Sequence, residues 1–518
     1  MTQPMSRREL IMKSIKLGSA ALGAGLLGYG VYSFLKQDEI EDLYGTYPST
    51  AQVYPLKIAD PNAPKPNIIF IMCDDLGYGD VGFNGGRVIR TPNLDALAAS
   101  GTRFTDYYTC NAVCAPSRAG LLTGRYPFRT GVIGNPFPKG EPVGRVLARK
   151  VGDVLKALGS YDARENYAGM GLSAHEITIA EGLKKAGYRT GMIGKWHLGD
   201  YSGDPARNPL RHGFDSYFGV PHSNDMVPCP LYRNEEMVEK DIAGIMPRIT
   251  GMYTEEALKF IDNAAGGPFF LYIAHTMPHQ PLDASERFLK KSNAGLFGDA
   301  VEEIDWSVGE IVKRLREKGI DRNTVVMFTS DNGPWYEGSA GPYRGRKGQS
   351  YEGGFRVPFV ASWPGRIPAG RVCGTPIMNL DILPTAFALA GVELPKDRAM
   401  DGKDARGVLT GADDREIHDA IYFYHYDLLE GIRMGKWKYF DRLNRYVWPV
   451  PADATPLANK LGEKQMGNRW PLLYDLSADP GESYNVINTH PGIAEKIRAA
   501  MKAWREAEKK NPRGFVKG

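Results

Sequence analysis

Three runs of consecutive apolar, β-prone residues stand out along the chain, and each stops abruptly at polar residues. The runs cover residues 67–73, 269–274 and 324–330, and the polar residues that follow them are Asp74-Asp75, His275 and Asp331-Asn332, respectively. Uninterrupted apolar runs of this length are typical of strands that are buried on both faces of a sheet. We therefore expect three central strands whose ends carry polar side chains.

Between these runs, apolar residues recur at helical spacing in three segments, 91–100, 177–186 and 299–318. Strands that alternate with helices indicate an α/β fold with a mostly parallel central sheet flanked by helices. Ligands of such sheets bind beyond the carboxyl ends of the strands. The acidic and histidine residues that end the runs therefore mark the predicted active site.

The pattern changes after about residue 415, where the predicted elements become short. Strand-like runs cover residues 420–426, 431–440 and 470–476, and a helical segment covers 493–509. This favours a smaller C-terminal α+β subdomain with an antiparallel sheet. We expect a polar, proline-rich lead over 36–66, a catalytic domain over 67–414 and this subdomain over 415–518. Residues 141–159 and 441–469 fit neither pattern, and we interpret them as insertions on the rim of the site.

The first 35 residues differ in kind from the rest. Arg7 and Arg8 precede a weakly apolar, glycine- and alanine-rich run from about Leu17 to Leu35. This pattern is similar to a twin-arginine export signal, which would make the twin-arginine machinery a partner. The alternative is an uncleaved N-terminal helix that anchors the chain in a membrane, since no clear cleavage site follows the run. Both interpretations predict a periplasmic or otherwise exported protein.

Composition narrows the classes of protein. A chain of 518 residues exceeds what one hydrophobic core supports, and 42% hydrophobic with 24% charged residues is typical of a globular body. The net charge of +4, from 64 basic and 60 acidic residues, argues against a nucleic-acid partner. Five cysteines, an odd number, argue against a fold stapled by disulfides.

One of these cysteines, Cys114, begins the segment Cys-Ala-Pro-Ser-Arg-Ala-Gly-Leu-Leu-Thr-Gly-Arg. The Pro116-Ser117 pair before an Ala-Gly-Leu-Leu run predicts that Cys114 lies at the start of a helix, where the dipole favours an anion. We expect such a position to activate even an unmodified thiol. Two other interpretations are a buried structural thiol and a disulfide with Cys110.

This segment matches the pattern C-x-P-S-R-x-x-L-x-T-G-R of the sulfatase family at every fixed position, and the chain resembles the arylsulfatase A branch most. Further motifs agree in order between about residues 67 and 485, and they lie at 73–80, 194–199, 330–333, 344–347, 352–354, 473–476 and 479–482. The resemblance implies an alkaline-phosphatase-like fold. It covers most of the predicted catalytic domain and subdomain.

The resemblance also implies a sulfuric ester hydrolase whose nucleophile is made from Cys114. A formylglycine-generating enzyme would oxidise Cys114 to formylglycine (3-oxoalanine) during maturation. The hydrated aldehyde would attack the sulfur of a sulfate ester, and its second hydroxyl would later expel sulfate. The substrate would be a small-molecule aryl sulfate or a terminal sulfated sugar of a saccharide.

A metal site follows from the same motifs. The resemblance implies one divalent cation held by Asp74, Asp75, Asp331 and Asn332, together with the modified Cys114. These four side chains offer hard oxygen ligands, which favour Ca²⁺, with Mg²⁺ as the alternative. Such an ion would polarise a sulfate oxygen.

The family's cationic and histidine positions can be carried over by motif. The resemblance implies that Arg118 supports the diol, that Lys195 and Lys347 contact sulfate oxygens, and that His197 withdraws the proton of the nucleophile. It further implies that His279 protonates the leaving oxygen.

Other residues near these motifs have weaker assignments. Ser223 matches a serine near the sulfate in the arylsulfatase A branch. We interpret His275 as a hydrogen-bonded structural residue, and His222 and His425 are candidates for the specificity pocket by placement alone.

Two other functions remain open. Relatives on an alkaline-phosphatase-like fold include phosphodiesterases and phosphonate hydrolases with similar metal carboxylates, and an inactive sulfate-ester-binding protein is the alternative from another class. The segment between Gly134 and His175 is also longer than expected for arylsulfatase A.

Overall fold

A computed structural model describes residues 54–138, 171–264, 266–441, 443 and 471–516. The predicted export signal or anchor over 1–35, the insertion over 141–159 and nearly all of the insertion over 441–469 lie outside these residues. Within the described ranges, no helix combines the length and apolar character needed to cross a membrane.

Sixteen strands are present in the described part of the chain. They are β1 Asn67–Cys73, β2 Thr102–Phe104, β3 Tyr107–Tyr108, β4 Arg189–Lys195, β5 Ser216–Val220, β6 Leu231–Arg233, β7 Glu236–Glu239, β8 Phe269–Ala274, β9 Thr324–Ser330, β10 Phe359–Ser362, β11 Arg371–Cys373, β12 Ile377–Met378, β13 Ile421–His425, β14 Leu428–Met434, β15 Trp437–Phe440 and β16 Leu472–Asp475. The three predicted central strands are β1, β8 and β9, and all three are fully buried.

Ten of these strands form one sheet in the order β11-β2-β10-β9-β1-β8-β4-β5-β6-β7. The five central strands from β9 to β5 run parallel, while β10, β6 and β7 are antiparallel to their neighbours. The prediction of a mostly parallel central sheet is therefore confirmed. Because Cys73 pairs with Ser330 and Met72 with Ala274, the chain leaves β1, β8 and β9 at the same edge.

Ten α-helices surround the sheets in the described residues. They are α1 Pro92–Ala99, α2 Cys114–Thr123, α3 Pro127–Thr130, α4 Ile179–Lys185, α5 Ile249–Ala264, α6 Gly295–Glu317, α7 Glu352–Phe355, α8 Ile382–Ala390, α9 Arg406–Thr410 and α10 Pro491–Lys510. The predicted helices 91–100, 177–186, 299–318 and 493–509 correspond to α1, α4, α6 and α10, with α6 starting four residues earlier than expected.

Alternation along β1 explains why helices cover both faces of the sheet. Ile68, Phe70 and Met72 face one core, which also contains residues of α2, α4 and α8. Ile69 and Ile71 face the other core, which contains residues of α1, α5 and α6. Side chains of a strand alternate between faces, so a continuous apolar run needs a helical layer on each side.

The C-terminal part forms an antiparallel sheet of four strands in the order β13-β14-β15-β16, as predicted, and α10 packs on it through Ile497 and Met501. The run 431–440 is not one strand but parts of β14 and β15. Gly435 adopts φ 56°, a left-handed conformation that allows a tight turn between β14 and β15. Met434 and Trp437 are paired across this turn. Apolar residues on both sides of the turn hide it in the sequence pattern.

Candidate active site

The candidate site lies where the chain leaves the central strands. Asp74 and Asp75 follow β1, Lys195 ends β4, and Asp331 follows β9. Asp75 has φ 65°, so the chain turns sharply directly after the strand. The backbone N–H of Asp75 donates to Oδ1 of Asp331 at 3.2 Å, which ties the two strand ends together.

Cys114 begins α2, as predicted, and is completely buried beside these carboxylates. Its Sγ lies 3.2 Å from Oδ1 of Asp74 and 3.9 Å from Oδ1 of Asp75. Asn135 accepts a hydrogen bond from the backbone N–H of Ala115 at 3.1 Å and so fixes the first turn of the helix. The start of α2 is thereby held against the end of β1.

The thiol of Cys114 is not activated by its position at the helix start, and that expectation is wrong. Burial and the carboxylates of Asp74 and Asp331 raise the pKa of the thiol well above its ordinary value, although Lys195 and Lys347 oppose the shift. Burial and the two close carboxylates thus disfavour the thiolate at the helix start.

The disulfide between Cys110 and Cys114 is not formed, since all five cysteines are free and buried. The Cys110 Sγ lies 3.9 Å from the carbonyl oxygens of Pro116 and Ser117.

Two lysines reach the same carboxylates from different parts of the chain. Lys195 Nζ donates to Oδ2 of Asp74 and, at 3.0 Å, to Oγ of Ser223. Lys347 Nζ lies 2.7 Å from Oδ1 and 2.8 Å from Oδ2 of Asp75. Each of the two carboxylates that follow β1 therefore has a lysine of its own.

Arg118 lies one helical turn after Cys114 and serves the third carboxylate. Its Nε and Nη2 donate to Oδ2 of Asp331 at 3.0 and 2.7 Å, and its Nη1 donates to the carbonyl oxygen of Lys195 at 2.9 Å. Nη2 also lies 3.5 Å from Oδ2 of Asp74. Both Arg118 and Asp331 are completely buried.

The charges of this group determine which carboxylates are ionised. Burial would raise the pKa of Asp74, but Lys195, His279, Arg118 and Lys347 outweigh it and hold that pKa well below its usual range. Burial and the charge of Asp74 raise the pKa of Asp331 to about 6. Asp74 is thus the most firmly anionic point of the site.

The donor atoms around Cys114 fit a divalent cation. One ligand atom each of Asp74, Asp75, Cys114 and His279 lies within 4.8 Å of the others. Asn332 donates through Nδ2 to Asp75 Oδ1 at 2.7 Å, whereas its buried Oδ1 has no hydrogen-bond partner among the described residues. A buried acceptor without a partner is costly unless a donor or a metal satisfies it.

Asp331 lies beside this cluster of four ligands. Its Oδ2 accepts from Arg118, and its Oδ1 accepts from the backbone N–H of Asp75 at 3.2 Å. Its role as a metal ligand stays a prediction from the family motif.

The two predicted catalytic histidines have different surroundings. His197 is completely buried, and neither ring nitrogen has a hydrogen-bond partner in the described residues. Burial, Lys195 and Arg118 hold its pKa well below the ordinary value, so the ring is neutral.

His279 faces the carboxylates with one nitrogen. Its Nδ1 lies 2.5 Å from the carbonyl oxygen of Gln280, which can only accept, so Nδ1 carries a proton. Its Nε2 lies 3.5 Å from Ser223 Oγ and 3.7 Å from Asp75 Oδ2. Burial and Lys347 lower the pKa of His279, although Asp75 and Asp74 oppose this. Nε2 is therefore the nitrogen that can exchange a proton with a ligand.

Three other histidines near the motifs have no catalytic role assigned. His275 is buried 6.3 Å from the ring of Tyr253, as expected for a structural residue, but it lacks the expected hydrogen bond: neither of its ring nitrogens has a partner in the described chain. Burial lowers its pKa to about 4. His222 and His425 are buried and are not among the described residues that line the adjoining cavity, and their placement in the specificity pocket stays a prediction.

A cavity of about 610 Å³ opens onto the site. The described residues that line the cavity include predicted catalytic side chains and residues of loops from five other parts of the chain. They are Asp75, Asn135, Ser223, Asn224, Asp225, Met226, Val227, Asp241, Ala243, Met246, His279, Gln280, Pro281, Trp335 and Lys347. Asn135, Asp225 and Trp335 were not singled out from the sequence. Asp225 follows Ser223 by two residues, which is the one signal that could have identified it.

Comparisons with known proteins agree with this geometry. The family model described as Sulfatase matches residues 66–392. Two further models match the C-terminal part: N-sulphoglucosamine sulphohydrolase, C-terminal, over 345–448, and C-terminal region of aryl-sulfatase over 416–515.

Individual proteins match over most of the chain. N-acetylgalactosamine-6-sulfatase of Mus musculus is 37% identical over 456 residues, which cover 82% of each chain. Arylsulfatase A of Bos taurus is 35% identical over 474 residues, which cover 85% of this chain and 87% of the relative. A solved structure from the metabolism of multiple glycosaminoglycans by Bacteroides thetaiotaomicron is 29% identical with a TM-score of 0.71, and the match covers 86% of this chain and 100% of that one.

Proposed function

Since this chain belongs to the sulfatase family and is a sulfatase, we propose that it cleaves a sulfate monoester through a formylglycine made from Cys114. The observation that carries the proposal is the position of Cys114, buried within 4 Å of two carboxylates that are themselves paired with two lysines. The substrate is an aryl sulfate or a terminal sulfated sugar. The relatives named for N-acetylgalactosamine-6-sulfate and aryl sulfates support both classes.

Asp74, Asp75, Asn332 and Asp331 would hold one divalent cation, together with residue 114. Oxygen ligands favour Ca²⁺, with Mg²⁺ as the alternative. When bound, the ion supplies Lewis-acid polarisation of a sulfate oxygen.

The lysines have two sets of partners available. In the arrangement described above, Lys195 and Lys347 neutralise Asp74 and Asp75. Once these carboxylates have a cation of their own, both ammonium groups can turn to the sulfate oxygens, which need several preorganised donors as the ester bond breaks. Arg118 stays with Asp331 and keeps that carboxylate ionised beside residue 114.

The first chemical step occurs at residue 114, where the hydrated aldehyde carries two hydroxyls. Neutral His197 accepts the proton of one hydroxyl, whose oxygen attacks sulfur and forms a covalent sulfo-enzyme. The bond between sulfur and the ester oxygen breaks with its electrons on that oxygen. His279 acts here in its doubly protonated form: it delivers the Nε2 proton to that oxygen, and the alcohol leaves.

The second hydroxyl explains why an aldehyde is needed rather than a serine. Loss of its proton re-forms the C=O bond of the aldehyde, and the bond from that carbon to the sulfate oxygen breaks. Sulfate leaves without water having attacked sulfur, and water then hydrates the aldehyde again.

Burial of Cys114 bears on when it is modified. The side chain is completely buried in the folded protein, so we propose that a formylglycine-generating enzyme acts before this part of the chain folds. Twin-arginine export carries folded proteins, and the proposed order is oxidation, folding and then export to the periplasm. Retention of the N-terminal segment would leave the enzyme anchored to the membrane.

Matched esters test the proposed reaction. Nitrophenyl sulfate, bis-nitrophenyl phosphate and a nitrophenyl phosphonate would be compared at equal enzyme concentration, with Cys114→Ala as the control. We expect the sulfate to have the highest kcat/KM and the variant to lose turnover. Dominant phosphodiesterase or phosphonate hydrolysis would replace the proposal, full activity of Cys114→Ala would refute the nucleophile, and tight sulfate-ester binding without turnover would indicate a binding protein.

A further inference from the structure

The cavity beside the site is lined by groups of both charges. Lys347, His279 and Ser223 are the lining groups that would contact a sulfate. Apart from Asp75, the acidic side chains among the described lining residues are Asp225 and Asp241. A substrate bound in the cavity therefore has two further carboxylates beside it, and these would repel a second anionic group.

Asp225 is well placed to contact a ligand. Its side chain is exposed, while Ser223 and Asn224 directly before it are buried. Although part of Asp225 is exposed, the surrounding protein desolvates its carboxyl and would raise its pKa, but His279, the Ser223 hydroxyl and the two lysines lower it, so the carboxylate is ionised at neutral pH. Asp241 is half-buried, and its Oδ1 accepts from the backbone N–H of Ala243 at 3.1 Å.

Asn224 adds an acceptor to the same wall. Its Nδ2 donates to the carbonyl oxygens of His279 and Pro281 at 2.9 and 3.2 Å, which fixes the orientation of the amide. Its Oδ1 is buried and has no hydrogen-bond partner in the described residues. A hydroxyl, amide N–H or ammonium group of a ligand would satisfy this oxygen.

The remaining wall is apolar. Met226, Met246 and Trp335 line it, and the ring of Trp335 meets that of Tyr336 edge-on at 4.7 Å. A lining that combines apolar side chains with several acceptors suits a sugar ring, which has a C–H face and a rim of hydroxyl donors.

We propose that the natural substrate is a monosulfated neutral hexose or N-acetylhexosamine, and that Asp225 and Asp241 exclude sugars with a second anionic group next to the sulfated position. This inference rests on the proposed sulfatase function and narrows its substrate class. Like charges brought together at a binding site lower affinity strongly, whereas hydroxyl and amide donors pair with these acceptors.

Kinetics of the formylglycine-containing full chain test the proposal. The probes are the 4-sulfate and 6-sulfate of N-acetylgalactosamine, the corresponding galactose esters, their disulfates, and nitrophenyl sulfate as the reference. We expect kcat/KM for the best monosulfate to exceed that for its disulfate by about tenfold or more, and added salt to reduce the ratio.

Charge-removing variants separate repulsion from steric exclusion. Asp225→Asn and Asp241→Asn keep the side-chain size, and the Asn oxygen can still accept from Ala243. Each should reduce the ratio between monosulfate and disulfate by about threefold or more. Asp413→Asn, which removes a carboxylate paired with Arg415 outside the cavity lining, should leave the ratio unchanged.

The outcomes distinguish this inference from the proposed function. A disulfate cleaved as well as its monosulfate, or a ratio unchanged in both cavity variants, would overturn the role of the two carboxylates. Cleavage of nitrophenyl sulfate with none of the sugar esters would overturn the sugar class while leaving the sulfatase function in place. Failure on every sulfate ester would refute the proposed function and this inference together.

Discussion

The buried pair of Arg118 and Asp331 should be essential for stability as well as for activity. Arg118→Met removes two hydrogen bonds to Asp331 and one to the carbonyl of Lys195, and it leaves a completely buried carboxylate without its arginine. Breaking a buried ion pair by removing one partner costs about 3–5 kcal/mol. Arg118→Lys keeps the charge but loses the fork of donors, so we expect a smaller loss, of about 1.5–3 kcal/mol.

The cost should also depend on pH with a defined sign. Asp331 already has a pKa of about 6, and loss of Arg118 raises it further. Below that pH the carboxyl is protonated and carries no charge to compensate. Arg118→Met should therefore destabilise the protein more at pH 8 than at pH 5.

The assay is urea unfolding followed by tryptophan fluorescence, alongside kcat/KM on nitrophenyl sulfate. Arg415→Met is the matched control, because Arg415 pairs with Asp413 at 2.6 Å, while the two side chains are 88% and 42% exposed. Solvent screens such a pair, so the control should change stability little. Equal effects of the two substitutions, or an Arg118→Met protein as stable as the wild type, would refute the reasoning.

Four further predictions concern other parts of the molecule. His418→Gln should destabilise the protein below pH 6.5 and have little effect well above it. The reason is that burial would lower the pKa of His418, but Asp381, at 2.8 Å, outweighs burial and raises it. Urea unfolding at several pH values measures this. Gly194→Ala should cost about 3 kcal/mol or more in the same assay, since its Cβ would lie 1.9 Å from the Ala274 carbonyl oxygen at φ 100°. His279→Asn should lower kcat more for an alkyl sulfate than for nitrophenyl sulfate, whose leaving group needs less protonation. Ca²⁺ at about a hundred times its Kd should stabilise the protein by about 2.7 kcal/mol in thermal unfolding, and a chelator should reverse this.

Each of these has a clear contrary result. A cost of His418→Gln that does not vary with pH would exclude the ion pair as its source, and wild-type stability of Gly194→Ala would mean that the strands can separate there. Equal losses of kcat on both esters would remove the acid role from His279. A thermal midpoint indifferent to Ca²⁺ and to a chelator would argue against a resident ion.

The central strands could be predicted because their sequence signal is local. A strand covered on both faces must be apolar throughout, and its end is marked where polar residues begin, as at Asp74 and Asp331. Parallel strands then bring these ends to one edge without any further information. The antiparallel strand β10 is buried but only four residues long, and β6 and β7 are short and partly exposed, so their sequences carry no such signal.

The contacts within the site depend on long-range folding. Lys347 lies 272 residues from Asp75 in sequence, yet their side chains form an ion pair. The raised pKa of the Cys114 thiol arises from burial and from carboxylates at the ends of two different strands, neither of which the sequence of α2 alone shows. The cavity is lined by loops, and nothing in the local sequence pattern of these loops shows that Asn135 and Trp335 line the same cavity as Ser223.

The central claim, that residue 114 acts as formylglycine, is tested most directly by mass spectrometry of the tryptic peptide that spans residues 104–118. Purified active enzyme would be digested, and the fraction of modified peptide compared with kcat across preparations of different specific activity. The account predicts a peptide mass lowered by the conversion of thiol to aldehyde, with kcat proportional to the modified fraction. Fully active enzyme in which Cys114 carries an intact thiol would contradict it.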